Sequence, residues 1–500
     1  MGSMKKNMAT SIVFKVVTIL TNLIVQHRVL VSFGSDINGV TSSVSQFISY
    51  LVLLEAGIGA ASIQALYRPI AEGNWDETNA IISATNRQYR KISFIFLTLL
   101  FGLSCLMPLI VSQQLDAILV GAITFLAGLS SFFTFLFTGR YNVLLNADKR
   151  INVVYTVDSA LSIVSCCARI MAIRFGYGII VVQSILAIVA LSKAIILSLY
   201  VKRRYKKLNL KAEPDFSKIS KHKNVLVHQI AGIVVNHTDV TILTVASTLK
   251  TVSVYSVYNY IYSNLSSIIT TTFSQAAQAT FGHLSAKSQD EYNEFYSTYE
   301  FFFGLLLYIV LVTALIMTLP FVSLYTKGVT DINYISRSIA VLFFADQIMN
   351  LIRIPSLVTI QSYGWFKETQ RGAIIEAVIN ISVSLALLPF LGMRGLLIGT
   401  LCSYAYRTQD VIVYVYRRCG LKWAIFVKNN VVNLFIAVLL VIYFFFFRPI
   451  QVTSWIGWIV YSALTVMITA IAFVLPNYLL NKKLFKKGLQ MIVNKRTTNL

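Results

Sequence analysis

The chain's 500 residues fall into about fourteen apolar runs, each roughly 18–25 residues long and separated by shorter polar segments. A helix needs roughly 20 apolar residues to cross the hydrocarbon core of a bilayer. The runs do not alternate with period two, which excludes a closed barrel. Irregular backbone facing lipid is excluded too, because its peptide groups would find no partner. The expected fold class is all-α integral membrane, with spans near 12–33, 38–66, 92–112, 115–138, 152–175, 177–200, 225–248, 255–281, 300–324, 335–360, 373–391, 393–416, 430–448 and 455–475.

Composition agrees with that class. Apolar residues make up 56% of the chain and charged residues only 13%, about half the share usual in a soluble domain. Four of the five cysteines, Cys105, Cys166, Cys167 and Cys402, lie inside apolar runs; none has zinc-ligand spacing, and all five read as small hydrophobes. Lys5 and Lys6 precede the first run and no small-residue cleavage site follows, so that run reads as an uncleaved span.

The formal charge of +23 would suggest nucleic acid in a soluble protein. Its location excludes that partner. With the N-terminus on the inside, 31 of the 43 basic residues fall on inside segments. Five fall outside or at outer span ends (Arg174, Lys250, Lys327, Arg394, Arg448), and seven lie within spans. This is a strong positive-inside bias. It predicts both termini in the cytoplasm, with anionic membrane lipids as partners of the basic segments.

The densest basic run, Lys202 to Lys223, has nine basic and two acidic residues and divides the chain. The expected domains are an N-terminal lobe at 1–201 (spans one to six), a cytoplasmic linker at 202–223 and a C-terminal lobe at 224–418 (spans seven to twelve). Two further spans follow at 419–476, then a basic tail at 477–500. Residues 139–207 and 361–422 share a layout: polar entry, span, glycine turn, span, basic exit. Six spans per half give a parallel repeat, two six-helix lobes related by a pseudo-two-fold along the membrane normal, with the substrate site expected between them.

Charges within spans are costly, roughly 2.5–3.5 kcal/mol each on insertion scales. Lys15, Lys193 and Arg337 lie near span ends and are expected to snorkel. Others form helical stripes: Asp158, Ser162, Ser165 and Arg169; His228, Gly232, Asn236 and Asp239; Asp346, Asn350 and Arg353; Lys15, Thr18, Asn22 and Gln26 with Arg28 nearby. One shared water-filled cavity would satisfy them all. Arg28, Arg169 and Arg353, with Asn236 and His237, are the candidate substrate-binding residues. Glu55, Asp239 and Asp346 are the candidate coupling sites for a proton or sodium ion.

Several polar residues have a structural reading instead. Arg407 and Asp410, three apart, are expected to pair. Glu376 is expected to complement a helix start, and Glu55 either braces the Gly-rich stretch EAGIGAAS or caps backbone. Tyr255, Tyr258 and Tyr262 share a face and read as an interfacial belt ahead of a sugar-stacking platform. No GxxxxGK[ST] loop, HExxH, GxSxG or Cys/His metal set is present in the sequence, so no catalytic residue, cofactor or metal is expected, and the chain is not expected to be an enzyme.

Four stretches carry a family resemblance: GSDINGVTSSVSQFISYLVLLEAGIGAASIQALYRPIAEGN, NHTDVTILT, SVYSVYNYIY and FKETQRGAIIEAVINISVSLALLPFLGMRGLLIGTLCSYAYRT. They resemble bacterial polysaccharide flippases, exporters of O-antigen and capsule repeat units within the multidrug/oligosaccharidyl-lipid/polysaccharide exporter superfamily. The resemblance runs from about residue 10 to 420. It implies two six-helix lobes that alternate between inward- and outward-open states. It also implies an undecaprenyl pyrophosphate-linked oligosaccharide as substrate, cavity arginines that hold the pyrophosphate with Arg28 foremost, and a polysaccharide polymerase as partner. The competing readings are a cation-coupled multidrug antiporter, a peptidoglycan lipid-precursor flippase and a membrane glycosyltransferase. The last would need a larger catalytic loop than the chain provides.

Overall fold

The computed structural model describes residues 2–55, 57–111, 114–219, 232, 237–285 and 288–488. Every regular element among them is helical. The order is α1 (Gly2–Val52), α2 (Ile58–Glu72), α3 (Trp75–Val111), α4 (Ala117–Phe133), α5 (Gly139–Ala147), α6 (Ile151–Arg174) and α7 (Ile179–Arg204). Then follow α8 (Leu249–Ile269), α9 (Gln275–Ser285), α10 (Gln289–Tyr325), α11 (Arg337–Ile352), α12 (Ile354–Tyr363), α13 (Phe366–Leu391), α14 (Met393–Cys419), α15 (Trp423–Ile442) and α16 (Trp455–Leu480).

Ten helical stretches among the described residues are long and apolar enough to cross a membrane. One of them, Ala9–Glu72, holds the first two expected spans. The eighth and twelfth expected spans fall on α8–α9 and on α14, which are long helices of higher polarity; α14 alone carries Arg394, Arg407, Asp410, Arg417 and Arg418. The seventh lies partly outside the described residues. The chain is an all-helical, multi-pass membrane protein.

It divides into two compact units, Met1–Gln229 with Val240–Val254 and Gly328–Ile332, and Ile230–Asp239 with Tyr255–Lys327 and Asn333–Leu500. In the first unit α1 turns at Gly34, whose φ of 84° only glycine adopts readily. The second span then breaks at a 3-10 turn, Leu53–Glu55, and restarts after left-handed Gly57. The core is close-packed through small residues. A Cβ on Gly128 would strike Leu100, and one on Gly139 would strike the Tyr89 ring. The stretch after α7 folds back on α3. Asn79 donates to the Lys207 carbonyl at 3.0 Å and accepts from the Asn209 amide at 2.9 Å. Lys218 pairs with Glu77 at 2.8 Å.

In the second unit α13 and α14 form a hairpin through Gly392, and Gly399 packs directly against Ser384. The last two spans pack on α10: Thr313 and Thr469 share a hydrogen bond at 2.8 Å, and the Trp458 indole donates to the Met317 carbonyl at 3.3 Å. Tyr255, Tyr258 and Tyr262 are buried, with Tyr258 and Tyr262 fully so. All three lie against Phe343, and the Tyr258 hydroxyl donates to the Tyr334 carbonyl at 2.8 Å. They are core residues, neither an interfacial belt nor a stacking platform: Tyr258 and Tyr262, the third and seventh residues along α8 from Tyr255, face α11 and the segment before it, which supply a ring and backbone acceptors.

The helix breaks recur at matched places in the two halves. Span four changes to a π turn at Thr134–Thr138, after α4 has run from Ala117, and span ten breaks at Arg353, after α11 has run from Arg337. Span eight carries a π turn at Thr270–Ser274 where span two carries its 3-10 turn. Such breaks leave backbone groups that can reorganise at low cost, the usual property of a hinge.

Candidate functional site

Each unit encloses its own group of polar side chains. In the first, α1 and α6 meet along their polar stripes, with Thr134 and α7 closing the sides. The result is a cavity of about 200 Å³ whose lining includes Asn22, Asp158, Ser162, Ser165, Arg169 and Lys193. Lys193 does not snorkel to the interface as expected; its ammonium pairs with both Asp158 oxygens, at 2.7 and 3.0 Å. The reason is the position of Asp158 one helix away, which offers a counter-ion at shorter reach than the headgroups.

Arg169 is different. No carboxylate among the described residues lies within ion-pair reach of it, and its Nε is buried with no acceptor. Among the described residues Asp158 is the one acidic side chain lining the cavity, and Lys193 already engages it. The cavity therefore carries one uncompensated positive charge. Arg28 lies on an exposed face of α1 and is not among the lining residues.

Glu55 sits at the 3-10 turn itself and accepts a short hydrogen bond from the Tyr89 hydroxyl. Tyr89 also packs on Phe135 of the π turn. Of the two readings the sequence left open, the bracing of the Gly-rich break is what this contact does.

The second unit holds a different arrangement. Arg353, Glu376 and Arg407 are buried and, with half-buried Asp410, form one chain of charges. Arg353 donates to Glu376 at 2.7 Å and to Asn350 at 2.9 Å, and its guanidinium lies 5.1 Å from the Tyr404 ring. Arg407 approaches the other Glu376 oxygen at 3.6 Å and pairs with Asp410 at 2.5 Å. The expected Arg407–Asp410 pair is present. Glu376 is no helix-start residue; it lies in the middle of α13 and is the shared counter-ion of two arginines, Arg353 at the break between α11 and α12 and Arg407 on α14. The charge of Arg353 is thereby neutralised.

Beside this chain lie the two buried carboxylates. Asp239 accepts from the Tyr255 hydroxyl at 2.9 Å and from the Thr400 hydroxyl at 3.0 Å. Thr400 in turn accepts from the Asn380 amide at 3.0 Å, which leaves the buried Asn380 carbonyl oxygen without a donor. Asp346 Oδ1 is likewise buried without a partner. A buried cluster of a carboxylate, a hydroxyl and orphaned oxygens is short of positive charge, and a proton or a small hard cation would supply it. His237 is half-buried two residues before Asp239. Asn236 and His228 lie outside the described residues. Sequence reasoning missed Thr400 and Tyr255 as partners of Asp239, and Asn380 as the donor to Thr400. The signal was present: Asn380 and Ser384 on one span, and Thr400, Ser403 and Arg407 on the next, repeat at helical spacing within apolar runs.

The fold is similar to that of solved transporters of the MOP superfamily. Among solved structures the chain is similar to the lipid II flippase MurJ in an inward closed conformation, at TM-score 0.65 and 14% identity over 96% of this chain and 99% of that one. It is similar to an inward-facing multidrug resistance MATE family transporter at TM-score 0.62 and 12% identity, covering 82% of this chain and 98% of that one. A third is a MOP superfamily transporter from Pyrococcus furiosus described as having a binding pocket of reverse polarity, at TM-score 0.55 and 12% identity over 84% of this chain and 96% of that one. No family model and no curated protein matches the chain.

Proposed function

We propose that the protein is a flippase that moves an undecaprenyl pyrophosphate-linked oligosaccharide repeat unit from the inner to the outer face of the cytoplasmic membrane by alternating access. The observation that carries this reading is the positive cavity around Arg169. An uncompensated guanidinium in a cavity lined in part by polar side chains suits phosphate oxygens. It opposes a cationic drug. The volume of about 200 Å³ is below the roughly 300–1,000 Å³ that encloses a drug-sized ligand. It can hold a charged group while the sugars and the polyprenyl tail lie elsewhere.

The physics of the passage agrees. Sugar hydroxyls and a pyrophosphate cannot cross hydrocarbon bare. A group of charge near −2 moving outward down an inside-negative potential gains about 4.6 kcal/mol at 100 mV. In this reading the Asp239 pocket, with Asp346 close by, takes the proton or sodium ion that resets the carrier, and a polymerase receives the exported unit. Arg28, on its exposed face, is a further contact for the pyrophosphate. The peptidoglycan-precursor flippase is the second reading, favoured by the match to MurJ, which extends over 96% of the chain.

The test is deletion of the gene in its host with analysis of polyprenyl-linked sugars. Accumulation of a complete lipid-linked repeat unit on the inner face, with loss of surface polysaccharide, supports the proposal. Unchanged lipid-linked intermediates with raised sensitivity to cationic drugs would replace it by the antiporter. Accumulation of the peptidoglycan precursor would favour the second reading.

A further inference from the structure

In the first unit a groove of about 460 Å³, quite separate from the Arg169 cavity, runs along the last turns of α7. Phe137, Arg140, Tyr141, Ile195, Ser198 and Lys202 are among its lining residues, and no lining residue is acidic. Arg140 is half-buried. Its Nη1 donates to Asn86 at 2.6 Å, its Nη2 donates to the Tyr141 hydroxyl at 3.3 Å, and its carbon lies 4.7 Å from the Tyr141 ring. Its Nε is buried with no acceptor, and no carboxylate among the described residues pairs with it. A fixed, half-buried guanidinium with a spare donor calls for an anion.

The polar end of the groove continues into an apolar lane. Ile195 and Leu199 stand 61% and 51% exposed on the same face of α7. The lane begins at Lys202 and Arg140, on the side the basic residues assign to the cytoplasm, and runs toward the span centre. Phosphate at one end and hydrocarbon along the other is the shape of a phospholipid.

The second unit repeats the device. Tyr200–Arg204 reads YVKRR and Tyr414–Arg418 reads YVYRR, at the ends of the sixth and twelfth spans. There a groove of about 630 Å³ is lined by Gln409, Tyr414, Arg417 and Arg418, with Asp410 already engaged by Arg407. The Tyr414 hydroxyl is buried without a partner, and Arg418 lies 5.8 Å from its ring. A topology signal alone requires basic residues at these positions. It does not require cavities, nor orphaned polar atoms in both halves.

We propose that these grooves bind the headgroup phosphate of anionic phospholipid from the leaflet on the basic side, with Arg140 and Lys202 as the phosphate ligands in the first unit. The full-length protein, delipidated in detergent and offered equal phosphatidylglycerol and phosphatidylcholine, should retain phosphatidylglycerol by native mass spectrometry. Arg140→Gln with Lys202→Gln should weaken that retention roughly thirtyfold, the effect of two cationic groups near an anionic headgroup. Lys211→Gln, outside the groove, should not. Lys202→Gln alone, on an exposed helix end, keeps the Arg140–Asn86 bond and tests the site without risk to the fold. Equal retention of the two lipids, or of phosphatidylglycerol by variant and parent, overturns the proposal. So does displacement of the phospholipid by polyprenyl pyrophosphate, which would make the groove an entry point for substrate. Binding is read without transport, so failure here leaves the flippase reading standing.

Discussion

Arg353 donates to Glu376 at 2.7 Å, and Arg407 reaches the opposite oxygen of the same carboxylate. One buried acid thus neutralises two arginines on different helices, and Asp410 completes the balance. Removing the shared partner leaves two desolvated cations facing each other, which typically costs about 3–5 kcal/mol. Glu376→Gln should therefore lower the thermal unfolding midpoint sharply. Arg353→Met should lower it less, since Glu376 keeps Arg407. Combining the two should fall short of the sum, as expected for members of one network. Intrinsic fluorescence unfolding in detergent measures all three, and additive effects would refute the shared role.

The sequence carried the class of fold and the locations of the charges, and it could not carry their pairing. Span lengths, the basic bias and the glycine turns are local features, set by bilayer thickness and by backbone conformation. The α6 and α1 stripes could be foreseen as partners because both are periodic and both need a polar neighbour. Which arginine stays uncompensated could not. Arg169 and Arg353 look alike along the chain, yet Glu376 packs against one and no acidic side chain among the described residues pairs with the other. Lys193 was misread for the same reason, since its partner Asp158 lies on a separate helix. The three tyrosines of α8 were misread because their partner, Phe343, is 81 residues or more away in sequence.

Arg169 is the residue on which the transport reading depends. Arg169→Gln should leave the protein at normal abundance in the membrane, because no internal partner loses its counter-ion. Export should fall by on the order of ten- to a hundredfold, the weight of a charge-assisted contact of about 1.5–3 kcal/mol. Arg169→Lys should restore part of it, since the charge returns without the planar fork. Accumulation of the lipid-linked unit in cells is the measurement. Unaltered export in Arg169→Gln would move the binding role to Arg28.

Asp239 and Thr400 give a test of coupling that leaves the anion cavity untouched. Thr400→Val keeps the shape and removes the hydroxyl that bridges Asp239 and Asn380. If a cation occupies this pocket, the variant should bind it about fivefold more weakly, the effect of one lost ligand of about 1 kcal/mol. Asp239→Asn should abolish binding. Thermal stabilisation by sodium chloride against choline chloride, followed at two pH values, reads the ion directly. Stabilisation that is identical in parent and both variants would assign the coupling ion to another site.

The turn between the first two spans offers a pH prediction with opposed signs. The Ser35 hydroxyl and amide donate to Asp331 at 2.7 and 3.0 Å. Burial alone would raise the Asp331 pKa, but these bonds and the Lys250 charge hold it below its ordinary 3.8. Asp36 behaves the other way: burial raises it above 3.8, Lys250 at 3.9 Å opposes this, and the Asp331 charge adds to it. An acid with a lowered folded pKa stabilises above its unfolded value, and that stabilisation is lost as pH falls through the folded one. An acid with a raised folded pKa destabilises above it, and is relieved by protonation. Asp331→Asn should thus lower the unfolding midpoint at pH 7 and flatten the decline below pH 4. Asp36→Asn should raise the midpoint at pH 7 and leave a steeper decline in acid, since the compensating relief is gone. Melting curves from pH 7 to about pH 3 decide it, and parallel curves for parent and both variants would show that neither carboxylate is linked to folding.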